Sequence, residues 1–193
     1  MLKYSTKFFC ARKIIPAQNP FAIYCMKVAI TGHTQGIGLA IARHFSTHDI
    51  LGFSRSTGYD INQTADRTRI LSQLTDCDMF VNNAYGDRDN SQLLLLIAVH
   101  ELWRDTNRTI VNISSRYAMS KNGVYRENKF LQDLYCARNE YTLPHIINLK
   151  PGLVDTSRVT HILGPRLTVE DVVSVLTTAL ASEFKIHTVT FGK

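Results

Sequence analysis

The sequence predicts a doubly wound α/β domain: a mostly parallel sheet of six or seven strands, helices on both faces, and one edge cut short. Met26 to Phe45 reads as strand, glycine turn and helix. Val28-Ala29-Ile30 is an apolar run of the kind buried in a parallel sheet, three glycines follow, and Ile37, Ala40, Ile41 and Phe45 recur at helical spacing. Short apolar runs then alternate with helical patterns down the rest of the chain. Only four residues separate Arg55 from Asp60, too few for the crossover of about a dozen that joins parallel strands, so one edge strand loses its connecting helix.

A chain of 193 residues suits one well-cored domain better than two. The formal charge of +6 suggests an acidic partner until its distribution is read. Residues 1 to 25 carry Lys3, Lys7, Arg12 and Lys13 and no acid, and without these four of the 22 basic residues the remaining 18 face 16 acidic ones. The body is therefore nearly neutral, and no nucleic-acid partner is expected. The leader reads either as an organellar targeting segment or as an extension upstream of Met26. The second is favoured because Pro16 and Pro20 spoil an amphipathic helix, and on either reading it is expected to be poorly ordered and dispensable. The body, residues 26 to 193, is expected to be the single domain.

Cys10, Cys25, Cys77 and Cys136 form no C-x-x-C pair, which suits a reducing, cytoplasmic setting. The longest apolar run, Leu93 to Val99, is far short of the roughly 20 residues that span a bilayer, so no membrane partner is expected either.

Gly32, Gly36 and Gly38 have a physical role if the turn holds a pyrophosphate. Glycine admits unusual backbone angles and a close ligand, and it leaves amides at the positive end of the helix aimed at the phosphates. The spacing is G-x-x-x-G-x-G, set between a buried strand and an amphipathic helix. Thr31-Gly32-His33-Thr34-Gln35-Gly36-Ile37-Gly38 resembles the cofactor turn of the short-chain dehydrogenases/reductases. The resemblance implies a Rossmann-like fold and cofactor contacts from Gly32, Thr34, Gln35, Gly36, Ile37 and Gly38.

Ile50 to Ser54 reads as the second strand, ending at Ser54 and Arg55. In dinucleotide-binding folds this end meets the adenosine ribose, where an acid accepts from its hydroxyls. Here an arginine stands with no carboxylate, which favours the 2'-phosphate of NADP(H) over NAD(H). Asp60-Ile61 resembles the family's adenine-contacting pair and is expected as a loop or a stub of strand. Thr64 to Leu74 reads as a helix, and Met79 to Asn82 as a short buried strand leading into Asn82-Asn83-Ala84-Tyr85. That segment is similar to the family's N-N-A-G, which puts Asn83 and Ala84 beside the cofactor, with Tyr85 in place of the glycine. Ser91 to Asp105 is a helix apolar on most faces, hence buried on more than one side. No second histidine follows His100-Glu101 a turn later, which argues against metal there.

Thr109 to Ser115 is expected as a fifth strand with a polar end, and Tyr125 and Lys129 follow at Y-x-x-x-K, one helical turn apart on one face. A tyrosine with a pKa near 10 is a poor acid/base at neutral pH, but a nearby ammonium favours its phenolate and lets it exchange a proton with a substrate oxygen. Resemblance to the family, spanning Met26 to Lys193, assigns Tyr125 as acid/base, Lys129 as its modulator and ribose ligand, and Ser115 as the group that holds the substrate oxygen. The family's fourth member, an asparagine on the preceding helix, falls nearest Asn90, about a turn out of place. Ile146 to Leu149 is the next strand. Its continuation resembles P-G-x-V-x-T, implying nicotinamide contacts from Pro151, Gly152, Val154 and Thr156. Thr168-Val169-Glu170-Asp171 starts a helix with a capping box, and Ile186 to Phe191 is the last strand.

The function implied is hydride transfer between NADP(H) and a small carbonyl/alcohol substrate, in a homodimer or homotetramer built on the Ser91 to Asp105 and Tyr125 to Asn139 helices. The competing reading is a catalytically weak NADP(H)-binding module that senses redox state or bridges partners. Fold alone does not decide between them.

Overall fold

The computed structural model describes residues 25–86, 90–119, 123–157 and 159–193. The readings that fall on residues 1–24 lie outside the described residues. The elements run β1 (Lys27–Thr31), α1 (Gly36–His44), β2 (Asp49–Phe53), α2 (Thr64–Ser72), β3 (Met79–Asn82), α3 (Ser91–Leu102), β4 (Thr109–Ile113), α4 (Val124–Arg138), β5 (His145–Pro151), α5 (Val169–Ala181) and β6 (Thr188–Phe191). Single 3-10 turns at Arg55–Thr57 and Arg116–Met119 follow β2 and β4.

The six strands form one sheet in the order β2-β1-β3-β4-β5-β6, and every pairing is parallel. Register and side-chain alternation build the two faces. Ala29, Phe80, Ile110 and Ile146 lie side by side and join a core with Leu95, Leu96, Val99 and Trp103 of the α3 segment. One residue on, Ile30, Val81, Val111 and Ile147 point the other way and meet Ile41 of α1 and Val173 and Leu176 of α5. Helices thus cover both faces, as the near-continuous apolar strands require.

Asp60-Ile61 forms no strand. Its polar partners are local: the Asp60 carboxylate accepts from Asn62 N at 3.0 Å, the Asp60 carbonyl accepts from Gln63 N at 2.9 Å, and the Ile61 carbonyl accepts from Arg67 Nη1 at 2.6 Å. Thr109–Ile113 is therefore the fourth strand rather than the fifth, and β2 is the sheet edge. Ile61 is buried against Phe53, and Tyr59 meets Phe53 edge-on at 4.9 Å. The capping box of α5 forms as expected: Thr168 Oγ1 accepts from Asp171 N at 3.1 Å and Asp171 Oδ2 accepts from Thr168 N at 2.8 Å. The helix expected to reach Asp105 stops at Leu102, and Asp105 takes φ of 61°.

His100 sits between α3 and α4, 6% exposed, its Nδ1 2.8 Å from the Tyr135 hydroxyl and its Nε2 3.1 Å from Thr142 Oγ1. Burial pushes the imidazole below its ordinary 6.5 and pushes the Tyr135 phenol up to about 12. The unfolded chain therefore binds a proton at His100 before the folded one does. Stability that is complete above about pH 6.5 is lost as the pH falls through the lowered folded value. His145, held down by burial and by neighbouring His187, acts in the same direction. The drop in melting temperature between about pH 7.5 and about pH 5.5 should shrink in His100→Gln relative to the unaltered protein. Equal drops would assign the pH dependence to His145.

Candidate active site

The strand order reverses between β1 and β3, and at such a switch point the loops leave on opposite faces and open a crevice at the carboxyl ends. The glycine turn forms one wall. Gly32 and Gly36 have φ of 70° and 52°, which side chains rarely adopt. A methyl on Gly38 would lie 2.2 Å from the Gly32 carbonyl oxygen and 2.6 Å from Asn83 Nδ2. Thr31 ties the turn to the end of β3: its Oγ1 accepts from Asn83 N at 2.9 Å and Ala84 N at 3.0 Å, while Asn83 Nδ2 donates to the Thr31 carbonyl at 3.0 Å.

Gln35, the N-cap of α1, makes no side-chain cap bond, and the first turn holds no acid. The leading amides at Gly36, Ile37 and Gly38 are thus presented at the positive helix end, where they suit a phosphate. Thr156 approaches from the segment after β5, its Cγ2 3.2 Å from where a Gly36 methyl would stand. Pro151 ends β5 paired with Phe191, Gly152 N donates to the Phe191 carbonyl at 2.7 Å, and Val154 makes an isolated bridge with Leu167.

At the edge, Ser54 is buried and caps the 3-10 turn that carries exposed Arg55. Ser56 Oγ donates to Thr34 Oγ1 at 3.3 Å, so the end of β2 and the glycine turn face one another. Asp60 N donates to Asp66 Oδ2 at 2.9 Å, and this bond holds the Asp66 carboxyl below its usual range. The loop after β3 closes tightly on this corner, since a methyl on Gly86 would lie 2.1 Å from both Asn62 Oδ1 and Ser91 Oγ.

Across the crevice, Tyr125 is the second residue of α4 and 43% exposed, while Lys129, one turn on, is 3% exposed. Lys129 Nζ donates to Gln92 Oε1 at 2.7 Å and to the Ile113 carbonyl at 2.8 Å, and it lies 5.7 Å from the Tyr125 ring centroid. Tyr85 completes the group. Its ring is 4.9 Å from that of Tyr125 at 72° and 5.5 Å from Lys129 Nζ, and its hydroxyl accepts from Asn128 Nδ2 at 3.5 Å.

Of the two serines ending β4, Ser114 Oγ donates inward to Asp133 Oδ1 at 2.6 Å, while Ser115 Oγ accepts from Tyr117 N at 3.1 Å. Asn90 is the N-cap of α3, and its Oδ1 is buried without a hydrogen-bond partner among the described residues. The α3 residue that touches Lys129 is Gln92. Sequence reasoning missed it by looking for asparagine, although 92, 95, 96 and 99 share the buried helical stripe.

A polar layer supports the pair. Asn82, Asn112 and Asn148 stand in register on β3, β4 and β5 and form a ladder, Asn82 Nδ2 to Asn112 Oδ1 at 3.0 Å and Asn112 Nδ2 to Asn148 Oδ1 at 2.9 Å. Asn148 Nδ2 continues to Asp133 Oδ1 at 2.8 Å, and the other Asp133 oxygen pairs with Lys150 Nζ at 2.7 Å. A separate cavity of about 800 Å³ opens between α1 and α5; its lining includes Gly36 and Thr156 but neither Tyr125 nor Lys129, so it lies beside the turn and away from the tyrosine–lysine pair.

No family model and no curated protein matches the sequence. Solved structures do match. A short-chain dehydrogenase from Burkholderia cenocepacia in complex with NADP superposes with a TM-score of 0.72 at 16% identity, covering 88% of this chain and 89% of that one. The chain has the short-chain dehydrogenase fold. The 3-alpha-hydroxysteroid dehydrogenase of a Pseudomonas species, complexed with NADH, shares this fold at TM-score 0.71 and 16% identity, over 86% of this chain and 94% of that one. A short-chain dehydrogenase from Sphingobium yanoikuyae in complex with NADPH gives 0.67 at 16% identity, over 84% and 87%. The short-chain dehydrogenase fold thus arises here with β2 as its edge.

Proposed function

We propose that the chain is a short-chain dehydrogenase/reductase that transfers a hydride between NADP(H) and a small carbonyl/alcohol substrate. The observation that carries this reading is the placement of Tyr125 and Lys129 across the crevice from a glycine turn whose Gly38 admits no methyl. The neighbours named above bind NADP, NADH or NADPH, so a nicotinamide dinucleotide is the expected class. When bound, it supplies or accepts the hydride.

The chain's own residues do the rest. The amides of Gly36 to Gly38, with Thr34 and Gln35, hold the pyrophosphate, and Ser54 and Arg55 meet the adenosine ribose, where the guanidinium pairs with a 2'-phosphate. Asp60 and Ile61 flank the adenine, while Asn83 and Ala84 floor the crevice. Pro151, Gly152, Val154 and Thr156 line the nicotinamide end. Ser115 donates to the substrate oxygen, Tyr125 gives or takes the proton there, and the Lys129 ammonium stabilises the phenolate and binds ribose hydroxyls. Asn90 is the remaining candidate for the proton path.

Leu94 and Leu102 on α3 and Phe130 and Leu131 on α4 are exposed apolar residues, the face on which a homodimer or homotetramer would form. No described helix is long and apolar enough to cross a membrane. Cytoplasmic placement rests on cysteine usage alone.

The competing reading, a weakly catalytic NADP(H)-binding sensor, draws on Tyr85, whose ring occupies the space beside Tyr125 and Lys129. Fluorescence titration with NADPH and NADH tests the cofactor. NADPH should bind more tightly, and Arg55→Ala should weaken NADPH by about 10-fold or more while leaving NADH nearly unchanged, as expected for loss of a charge-assisted phosphate contact. Equal weakening of both nucleotides would remove the 2'-phosphate assignment. Binding of neither would end the oxidoreductase reading.

A further inference from the structure

We propose that Arg116 binds a carboxylate on the substrate, so that the carbonyl compound is an oxo acid, and the alcohol a hydroxy acid, charged several bonds away from the reacting carbon. This rests on the reading of Tyr125 and Lys129 as the acid/base pair and of Ser115 as the group that holds the substrate oxygen. Arg116 follows Ser115 directly and opens the 3-10 turn after β4. Its side chain runs along the carboxyl edge of the sheet, past β5 to β6. A methyl on Gly192 would overlap Arg116 Nη1 and stand 3.5 Å from Cζ and 3.6 Å from Cδ, and one on Gly152 would stand 3.9 Å from Nη1. Two glycines from different strands thus leave the guanidinium its seat.

Register fixes the side of the sheet on which it lies. Asn148 pairs with Thr188 and Lys150 with Thr190, so Gly152 and Gly192 extend the same row by one step. Asn148 and Lys150 both reach Asp133, so this row faces α4, the helix that carries Tyr125 and Lys129. The guanidinium therefore shares both the face and the end of the sheet with the tyrosine–lysine pair. Neighbouring strands lie about 4.8 Å apart, which places a carboxylate on Arg116 roughly 5–10 Å along the edge from Ser115.

Charge points to the same ligand. Among the described residues the Arg116 side chain makes no hydrogen bond and no ion pair. The cations of the adjoining strands and loop are paired: Lys150 with Asp133 at 2.7 Å, Arg166 with Asp155 at 2.8 Å and Lys193 with Asp171 at 3.0 Å. One unshared guanidinium matches a singly charged carboxylate, which it grips through two parallel N–H donors, better than a doubly charged phosphate. In the reducing direction the carbonyl carbon gains the hydride, the C=O π pair passes to the oxygen and takes the Tyr125 proton, and the dinucleotide is oxidised. The carboxylate is unchanged and serves as the anchor.

Initial rates with NADPH compare 4-oxopentanoate and 5-oxohexanoate with their amides, which lack the charge. Calorimetric titration in the presence of NADP+, which gives up no hydride, compares the binding of 4-oxopentanoate and 4-oxopentanamide. The acids should exceed the amides by about tenfold or more in kcat/KM and in affinity, and 2-oxobutanoate, whose carboxylate adjoins the carbonyl, should gain less. Arg116→Gln should bring both ratios down towards one, and Arg116→Lys should restore part of them. Gly192→Ala, which pushes the guanidinium from its seat, should lower them with Arg116 intact. Acids and amides handled alike by the unaltered protein, or a preference that survives Arg116→Gln, overturns the assignment and leaves the oxidoreductase reading standing. No turnover of any compound, with acid binding that Arg116→Gln abolishes, keeps the carboxylate site and ends the oxidoreductase reading.

Discussion

Replacing Tyr125 by phenylalanine should lower carbonyl turnover by about 10²–10⁴-fold, the usual contribution of a general acid/base, while NADP(H) affinity should change little. The substitution removes a single hydroxyl from a ring that is 43% exposed, so little packing is lost, and the edge contact with Tyr85 survives. Lys129 keeps its bonds to Gln92 and the Ile113 carbonyl, but the hydroxyl proton that the proposed reaction uses no longer exists. Single-turnover measurements with NADPH and a panel of small aldehydes and ketones check this, with fluorescence titration of the same protein for binding. Turnover in Tyr125→Phe equal to the unaltered protein would transfer the proton to another group, Tyr85 being the nearest phenol. Absence of turnover in both, with tight NADPH binding, would favour the sensor reading.

Gly38→Ala is the second change expected to act strongly, and it acts on the cofactor. Its new methyl would stand 2.2 Å from the Gly32 carbonyl oxygen, a backbone atom that moves only if the turn moves. Overpacking of this kind costs about 1–3 kcal/mol, and here the displaced groups are the amides meant for the phosphates, so NADPH affinity should fall by about tenfold or more. Gly164→Ala is the comparison: φ is 140° and the nearest atom, Leu153 Cδ2, is 3.9 Å away, so it strains the backbone without touching the crevice. Thermal melting and NADPH titration of both variants separate the effects. A loss of melting temperature in both with a loss of binding only in Gly38→Ala is the expected pattern; unchanged binding in Gly38→Ala would remove the turn from the phosphate site.

The elements that could be read from residue order alone were those whose signal is local. The apolar run before Gly32, the helical stripe after it and the Thr168 capping box each depend on a few adjacent residues, and each lies where expected. The Arg55 to Asp60 gap also announced its consequence, a sheet without a strand beyond β2. Of the two forms expected for Asp60-Ile61, a loop or a stub of strand, the loop is the one that forms, because Asp60 N turns to Asp66, the Asp60 carbonyl to Gln63 N and the Ile61 carbonyl to Arg67.

What escaped was everything that depends on register between distant strands. Asn82, Asn112 and Asn148 look like three unrelated polar ends of apolar runs until parallel pairing sets them side by side, and only then do they form a ladder that reaches Asp133. Gln92 is the same case. Nothing near it in the chain marks it, since its partners Asn82, Ile113, Lys129 and Gln132 come from β3, β4 and α4. Tyr85 was legible as a departure from glycine, but not as a ring against Tyr125 and Lys129.

By itself, then, the sequence determined the alternation of buried strands and amphipathic helices, the glycine turn, and the pairing of Tyr125 with Lys129, because periodicity and i,i+4 spacing are properties of short stretches. Only the tertiary structure decided which side chains surround Lys129 and how the asparagines join, because a buried polar group takes whichever partner packing brings within about 3 Å, however far away in the chain that partner lies.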